Sequence, residues 1–513
     1  MALRLDFMLS TQNASLIISA TLIASVIWYA ISTATAWNRL RQFPGPTLAK
    51  FSYLWGFFAM RTGHMHHIVA REQHKYGKIM RIGPNELLVY DSDTLWQING
   101  VRSGYERGGW YASIQFDPYG HSVLSEPNTE RHDKRKAQIM GGYAGKGNVN
   151  LEEKVDSQLG VLVDVLRTNY LEKGDRNIVD FGRLIRFFQV DLVTLVGSGE
   201  PWGDLVNETD HFDFISIADS YVPFLHTFMM TPLFRHFFSS KFFLRLAGPK
   251  ATDKKGMGKF LGIIKGIVER RFNDGPSQPS GEGDMLDEWI KQGLSRRECE
   301  LELAIQVPAG SETSTTAIRG IMLHLLTAPN VYLKLQREIT ARIRDGHISS
   351  PVTQEEAKQL PYLQAIIYEG IRMVSPSIIG FPKKVPMGGD TICGKFVPEG
   401  TDIFVNLLSM LQNKEVFGED ADMFRPERFL ECHDNKKAQL IKNVDLAFGH
   451  GRWVCAGKTL AWFELNKIFI ELFRNFDFQI ANPESPWACR GYSSFLIDNF
   501  WVRVMERSTY ESW

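Results

Sequence analysis

The chain has 513 residues, of which 44% are hydrophobic and 23% charged, as in a globular protein with one large enzyme domain. Lysine plus arginine and aspartate plus glutamate balance at 58 each, so no excess basic charge is available for nucleic acid, and that class is excluded. The five cysteines are scattered without a CxxC pair, which argues against a disulfide framework or structural zinc and indicates a reducing compartment.

The N-terminal segment is apolar and long enough to cross a bilayer, which requires about 20 apolar residues. No charged residue occurs between Asp6 and Arg39, and Ala14 to Trp37 form one apolar stretch. A cleaved signal peptide is the competing interpretation, because Ala34-Thr35-Ala36 resembles a cleavage site, but the stretch is long for a signal core. We therefore predict a membrane anchor over residues 1–38.

The segment after the anchor contains Pro44-Gly45-Pro46, which cannot continue a helix. We predict a stiff, proline-rich hinge over residues 39–50 and one catalytic domain over residues 51–513. Basic residues follow the apolar stretch immediately, and by the positive-inside rule they place this domain in the cytoplasm. The polar, glycine-rich stretch 273–284 is predicted to be a loop within the domain and not a linker.

Helical periodicity dominates the domain, and Pro329 to Arg344 and Pro361 to Met373 carry apolar residues at three- and four-residue spacing. Short strand-like stretches begin near Lys78, Thr391 and Phe495, so the predicted fold class is mainly α with small β-sheets. The stretch Gly256 to Gly262 superficially resembles a dinucleotide loop, but its spacing is wrong and it lies in a helical run. A redox enzyme of this sequence would take its electrons from another protein.

The stretch FGHGRWVCAG, residues 448–457, places one cysteine in a glycine-rich loop directly before a predicted helix. Backbone N–H groups and the helix dipole can stabilise a thiolate there. Glycines permit the tight loop and let a flat cofactor approach the backbone. These residues alone fit a buried cysteine beside a turn equally well.

This stretch resembles the haem-binding loop of the cytochromes P450, in which the cysteine follows Phe-x-x-Gly-x-Arg/His-x and precedes x-Gly. Phe448, Gly451, Cys455 and Gly457 occupy the matching positions. The resemblance implies a cytochrome P450 fold preceded by a single transmembrane helix, with haem b as the cofactor. It also implies that Cys455 is the axial thiolate ligand of the haem iron.

One position departs from this pattern, because Trp453 stands where a basic residue is expected, two positions before the cysteine, and Arg452 precedes it. An indole N–H can donate only a neutral hydrogen bond to a haem propionate. The Gly-Arg-Trp triplet is similar to that of the pisatin demethylase branch of fungal P450s, so we interpret the change as a branch feature. Arg452 and Trp453 remain candidate cofactor contacts.

Two further motifs predict a buried charge cluster. Glu369 and Arg372 share one face of a strongly apolar helix, so that a buried partner is needed. The stretch FRPERF, residues 424–429, resembles the P450 meander motif, whose arginine completes a triad with this pair. The resemblance assigns that position to Arg428 and gives the triad a structural role without chemistry.

The stretch VPAGSETST, residues 307–315, breaks ordinary helix rules with a proline, a glycine and a cluster of hydroxyl residues. A kinked helix that bonds its own backbone would explain it. It also resembles the oxygen-activation stretch of the long central P450 helix. By that resemblance Ala309 and Gly310 contact the cofactor, while Glu312 and Thr313 relay protons for the reduction of dioxygen.

The propionate contacts are predicted on family position only. His132 and Lys136 lie four apart on a basic helix where P450s often carry propionate donors, although a solvated basic face fits as well. Lys383 or Lys384 stands where relatives usually carry an arginine for the other propionate.

By the same resemblance three segments face the substrate: 110–119, 221–243 and 377–381. The second is rich in Phe and Met, which fits a core segment, an apolar surface or a loop that enters the membrane and admits apolar substrate.

The resemblance implies a microsomal-type fungal monooxygenase, anchored once in the endoplasmic reticulum membrane with its catalytic domain cytoplasmic. Its substrate would be an apolar small molecule of secondary metabolism, such as a polyketide, terpenoid or alkaloid. Electrons would come from NADPH through P450 reductase, with cytochrome b5 as an optional further partner. Two alternatives stay open: a haem-thiolate isomerase or dehydratase that uses no O2, and a non-catalytic haem-binding protein. Glu312-Thr313 argues against the first, and the intact iron site argues against the second.

Overall fold

A computed structural model describes residues 2–146, 150–172, 177–274 and 283–507. The helices of this part of the chain are α1 Ala2–Arg39, α2 Thr47–Phe51, α3 Leu54–Arg61, α4 Met65–Tyr76, α5 Ser92–Asn99, α6 Thr129–Tyr143, α7 Leu151–Val165, α8 Phe181–Ser198, α9 Asp204–Asn207, α10 Phe214–Met229, α11 Pro232–Phe238, α12 Lys241–Leu246, α13 Gly256–Asp274, α14 Met285–Lys291, α15 Arg296–Thr327, α16 Pro329–Arg344, α17 Gln354–Lys358, α18 Pro361–Met373, α19 Leu407–Leu411, α20 Lys414–Phe417, α21 Asp434–Asp445 and α22 Lys458–Asn475.

The strands are short and form four small sheets. They are β1 Ile79–Gly83, β2 Glu86–Val89, β3 Glu106–Arg107, β4 Ile178–Asp180, β5 Ile379–Lys384, β6 Asp390–Ile392, β7 Lys395–Val397, β8 Asp402–Asn406, β9 Phe476–Ile480, β10 Ala488–Gly491, β11 Phe495–Asp498 and β12 Trp501–Glu506. The largest sheet has the order β1-β2-β8-β5-β3, and a three-stranded sheet has the order β4-β12-β9. The pairs β10-β11 and β6-β7 complete the set. The predicted fold class, mainly α with small β-sheets, is confirmed.

Local chemistry explains where the helices begin. Helices α16 and α18 each start with a proline, which tolerates the first turn because it has no N–H to leave unpaired. Ser295 and Glu298 form a reciprocal capping box at the start of α15. The stretch Gly256 to Gly262 lies inside α13 and forms no nucleotide loop. The predicted loop 273–284 lies largely outside the described residues, between the end of α13 and the start of α14.

Helix α15 is the centre of the fold and positions the candidate site. It packs against α8, α13 and α18, and most of its residues between Cys299 and Leu325 are buried. Helix α22, which begins just after Cys455, packs on α7, α16 and α15 and is buried along most of its length. The cysteine loop is thus attached to the most buried part of the protein.

The C-terminal end of helix α1 and the residues that follow it contact the rest of the domain directly. The segment Ser19–Arg39 of α1 has a mean hydropathy of 1.3 and no buried residues in its apolar window, so it is long and apolar enough to cross a membrane. At the junction Leu40 and Phe43 are buried in the main core. The side-chain amide of Gln42 donates to the Phe396 carbonyl at 2.6 Å.

Candidate active site

The loop before α22 folds around the cysteine by means of two glycines with positive φ. Gly449 and Gly451 have φ values of 75° and 59°, which glycine adopts without steric cost. A Cβ on Gly451 would lie 2.3 Å from the Asn99 carbonyl oxygen, so no side chain fits there. The loop closes with a 2.6 Å hydrogen bond from the Cys455 N–H to the Phe448 carbonyl.

Cys455 lies where the first N–H groups of α22 point at its sulfur. Burial is the largest influence and holds the pKa of the thiol above its ordinary value, although the N–H groups of Gly457 and Lys458 and the charge of Lys136 act to lower it. These donors and this charge favour the thiolate form, which a metal ion bound to the sulfur would stabilise further. The side chain is nevertheless accessible. The arrangement suits a sulfur that coordinates a metal ion.

Lys136 connects helix α6 to this loop. Its ammonium donates to the carbonyls of Arg452 and Val454 at 2.7 and 2.6 Å. The sequence predicted Lys136 as a contact of the cofactor, and the structure gives it a second task, which is to fix the backbone immediately before the cysteine.

Basic groups surround the indole of Trp453. The guanidinium of Arg107 and the ammonium of Lys383 lie 4.9 and 5.0 Å from its ring centroid. The His132 ring lies 4.7 Å from it. The guanidinium of Arg452 lies farther out, 5.9 Å from the ring centroid, where it donates to the Val101 carbonyl at 3.0 Å and faces Asp133. Of the two lysines proposed for one position, Lys383 is buried in this cluster and Lys384 is exposed.

The arginine and the two lysines of this cluster lack an anion, whereas His132 has the Asp133 carboxylate 2.9 Å from its Nδ1. Nε of Arg107 and Nε1 of Trp453 are buried without a hydrogen-bond partner. No described residue forms an ion pair with Arg107, Lys136 or Lys383, since the nearby acids Glu126 and Asp133 pair with other residues.

The pKa values of these basic groups also indicate that too few anions lie beside them. Burial, with the charge of Arg107 acting in the same direction, lowers the pKa of His132 to about 4 and that of Lys136 to about 8. The same two causes lower the pKa of Lys383 well below its usual value. Buried positive charge requires a partner. A planar cofactor bearing two carboxylates, as haem does, fits these residues.

Arg107 was not predicted from the sequence. It lies on the two-residue strand β3, which carries no recognisable pattern, and it enters the cluster because it pairs in register with Lys383 of β5. Its guanidinium donates to the carbonyls of Val123, Leu124 and Glu126 at 2.6 to 2.9 Å, which fixes its position.

We expect Arg107→Met to weaken haem retention by on the order of tenfold, because a charge-assisted hydrogen bond to a carboxylate contributes about 1.5–3 kcal/mol. The measurement is the rate of haem transfer from the purified protein to apomyoglobin. Arg102→Met is the matched control, since Arg102 is exposed five residues earlier. Equal transfer rates in the two variants would contradict the role of Arg107.

Helix α15 presents two small residues to an open space. Ala309 and Thr313 are exposed although the neighbouring residues of the helix are mostly buried, and their i, i+4 spacing places them on one face. The Thr313 hydroxyl donates to the Ala309 carbonyl at 2.8 Å. Gly310 faces α8 instead, because a Cβ there would lie 2.9 Å from Cγ2 of Val193.

Glu312 has a partner that the sequence did not indicate. Its carboxylate accepts from Nε of Arg186 on α8 at 2.8 Å, and Arg186 also lies 2.7 Å from Asp219 on α10. The acid is therefore one end of a chain of charged groups from α15 to α10, while the adjacent Thr313 faces the open space. The pair predicted to transfer protons is split between two sides of the helix.

The predicted charge triad meets in the core. Both carboxylate oxygens of Glu369 accept from Arg372 at 2.7 and 2.8 Å and from Arg428 at 2.9 and 3.0 Å. All three side chains are buried, with at most 2% exposure. The backbone N–H of Arg425 donates to the same carboxylate at 2.8 Å. The other guanidinium nitrogens donate to backbone carbonyls, and Arg428 also pairs with Asp420 at 3.0 Å.

The three segments predicted to face the substrate contribute to one apolar cluster. Its members include Trp110, Ile114, Met229, Ile305 and Ile379. Ile305 lies one turn before Ala309, so the cluster adjoins the accessible face of α15.

The segment 221–243 is partly core and partly apolar surface, which are two of the three possibilities that its composition allowed. Val222 and Leu225 of α10 pack inward against this apolar cluster. Large apolar side chains are exposed on its outer side, among them Phe224 at 46% and Phe237 at 51%, and Phe242 of α12 is 72% exposed. The inner face is core, and the outer face is an apolar surface.

The comparisons with known proteins agree with this geometry. The sequence model of the family Cytochrome P450 matches residues 44–498. The cytochrome P450 monooxygenase aba1 of Botryotinia fuckeliana is 40% identical over 471 residues, which cover 91% of this chain and 92% of the relative. The cytochrome P450 monooxygenase ABA1 of Pyricularia oryzae is 37% identical over 500 residues, which cover 96% and 97%. A pisatin demethylase of Fusarium vanettenii is 28% identical over 497 residues, which cover 92% and 90% and confirm the predicted resemblance.

Proposed function

The chain belongs to the cytochrome P450 family of haem-thiolate monooxygenases, and from this we propose that it oxidises an apolar small molecule of fungal secondary metabolism. In this proposal the sulfur of Cys455 would bind the haem iron, and one atom of dioxygen would enter the substrate. The observation that carries it is the Cys455 loop, in which an accessible thiol faces the N–H groups of α22 beside an unpaired cationic cluster. When bound, the haem supplies the activation of dioxygen.

The residues of the chain bind the cofactor, stabilise the thiolate and exclude water from the substrate. Arg107, His132, Lys136 and Lys383 hold the carboxylates of the cofactor, and Trp453 donates its free N–H to the same region. The N–H groups of Gly457 and Lys458 hold the sulfur as a thiolate. Nearby, the apolar cluster under α10 excludes water from the substrate.

Thr313 holds the last hydroxyl on the proton route in this proposal. Its side chain is accessible, and its hydroxyl donates to the Ala309 carbonyl of its own helix, so rotation of the proton towards the open space breaks only that one hydrogen bond. Glu312 lies next to it in the helix, and Arg186, which also binds Asp219, holds that carboxylate in place without carrying protons itself. Proton transfer through positioned side chains typically contributes 10²–10⁴-fold in rate.

We expect Thr313→Ala to retain the haem spectrum but to divert on the order of half or more of the NADPH into peroxide and water, because the proton donor at the open face is lost. Coupling is measured as product formed per NADPH consumed. Ser311→Ala is the control, since that hydroxyl is buried and bonds the Val307 carbonyl at 2.7 Å. Full coupling in Thr313→Ala would remove this residue from the proton route.

Electrons from NADPH through a membrane-bound P450 reductase complete the proposal, since Gly256 to Gly262 lies in α13 and forms no nucleotide loop. The apolar helix Ser19–Arg39 and the exposed apolar side of α10–α12 support anchoring in the endoplasmic reticulum membrane. The test is a reconstitution with reductase, NADPH and ¹⁸O₂ against a library of terpenoids, polyketides and alkaloids. One labelled atom per product is expected. Conversion without NADPH would indicate an isomerase, and haem that reductase cannot reduce would indicate a non-catalytic protein.

A further inference from the structure

One histidine on the inner face of α10 has no hydrogen-bond partner. His226 lies four residues after Val222, next to Leu225 and three residues before Met229, and those three apolar side chains pack into the cluster under α10. This i, i+3, i+4, i+7 pattern places the imidazole on the same inward face. Phe224 and Phe228 occupy the opposite, outer face, where they contact each other with ring centroids 4.3 Å apart.

The surroundings of His226 are apolar. Its nearest aromatic neighbour is Tyr492, at the turn between β10 and β11, with ring centroids 6.4 Å apart. Tyr492 belongs to the same cluster as Ile305 of α15, which leads to the accessible face at Ala309 and Thr313. The imidazole therefore lies against the apolar cluster that also includes Ile305 of α15.

Neither ring nitrogen of His226 has a hydrogen-bond partner among the described residues. Nδ1 is buried, whereas the side chain as a whole is half-buried and Nε2 keeps accessible surface. A buried polar group without a partner costs free energy, and a leucine would pack here without that cost. An unpaired polar atom on the wall of an apolar binding region is therefore better explained by a ligand than by folding.

The imidazole is neutral at physiological pH. Burial alone lowers its pKa to about 4, and no charged group acts on it. A neutral imidazole has one N–H donor and one nitrogen acceptor. These match an alcohol or a ketone, whereas a carboxylate would find no cation at this position.

We propose that His226 is a specificity-determining residue that hydrogen-bonds an uncharged oxygen function, a hydroxyl or keto group, on an otherwise apolar substrate. The substrate has therefore already been oxygenated, or carries such a group from its synthesis, before this enzyme acts on it. The inference rests on the proposed monooxygenase function and narrows its substrate class.

The test uses hydrocarbon and oxygenated probes of the same skeleton: valencene with nootkatone, and bisabolene with α-bisabolol. Dissociation constants are measured from the spin-state shift of the haem Soret band in wild type, His226→Ala and His226→Gln. His236→Ala is the control, because that histidine is exposed on α11. The spectrum of the ferrous carbon-monoxide complex is recorded for every variant, so that loss of the haem-thiolate centre is distinguished from loss of this contact.

We expect wild type to bind the oxygenated member of at least one pair on the order of tenfold more tightly than its hydrocarbon. His226→Ala should remove that preference with little change for the hydrocarbon, and His226→Gln should keep part of it. Equal weakening of both members in His226→Ala would mean that the ring only fills space. No preference in wild type for any oxygenated probe would also overturn the proposal.

Discussion

Replacement of Cys455 by alanine is expected to abolish the strongly red-shifted Soret band of the ferrous carbon-monoxide complex, and with it all monooxygenase activity. The band arises from a thiolate opposite the carbon monoxide, and the structure offers Cys455 as the sulfur that faces the N–H groups of Gly457 and Lys458. Alanine keeps the shape of the loop, whose closure depends on the backbone bond from Cys455 to Phe448. Loss of the band is therefore a loss of ligation and not of folding.

The measurement is an optical spectrum of both proteins side by side, with Cys432→Ala as the control because that cysteine is a free thiol far along the chain from the loop. If freshly isolated wild type binds haem without the shifted band, the ligand is not a thiolate and the monooxygenase proposal falls. If neither protein takes up haem, the change from a basic residue to Trp453 has more serious consequences than the surrounding cations can offset.

The second large effect is expected at the buried triad. Glu369→Gln should lower the free energy of unfolding by about 3–5 kcal/mol, because it leaves the buried guanidinium of Arg372 without its anion and Arg428 with Asp420 alone. The neutral amide can still accept some of these hydrogen bonds, but it cannot balance two positive charges. Haem content should fall together with stability, since the triad ties α18 to the stretch that precedes the cysteine loop.

The free energy of unfolding is measured by urea denaturation, from the midpoint of the transition and the slope of the free energy against urea concentration. Glu355→Gln is the matched control, since Glu355 forms an i, i+3 ion pair with Lys358 in which both side chains are exposed. Such an exposed pair contributes about 0–1 kcal/mol. A Glu369→Gln midpoint that matches the control would show that the triad does not stabilise the fold.

The sequence predicts the elements whose signals are local. Pro329 and Pro361 begin α16 and α18 because proline is compatible with a first helical turn, and both helices end where their periodicity ends, at Arg344 and Met373. The spacing of Glu369 and Arg372 likewise places them on one face. These features are encoded within a few residues of each other.

The parts of the site that escape prediction depend on pairings between distant segments. The choice between Lys383 and Lys384 follows from the register of β5, and Arg107 joins the cluster only because β3 pairs with that strand. The ion pair of Arg186 with Glu312 joins residues 126 positions apart. Phe381 has a φ of 51°, a strained conformation for a bulky residue. It is held by the Lys383 ammonium, which donates to its carbonyl at 3.1 Å, and by its ring, whose centroid lies 5.3 Å from that of Trp110.

The contacts at the end of α1 have a mechanical consequence. The Tyr29 hydroxyl donates to the Phe51 carbonyl at 3.2 Å, the rings of Trp37 and Phe51 stack at 6.4 Å, and Arg81 donates to the Trp37 carbonyl at 3.4 Å. These contacts fix the C-terminal half of α1 relative to the domain, so the two move together. Each residue deleted from α1 ahead of Tyr29 would swing the outer half of the helix by about 100° around its axis relative to the domain. The rotation of the domain about the axis of α1, relative to the outer half of that helix, is thus set by the number of residues between them.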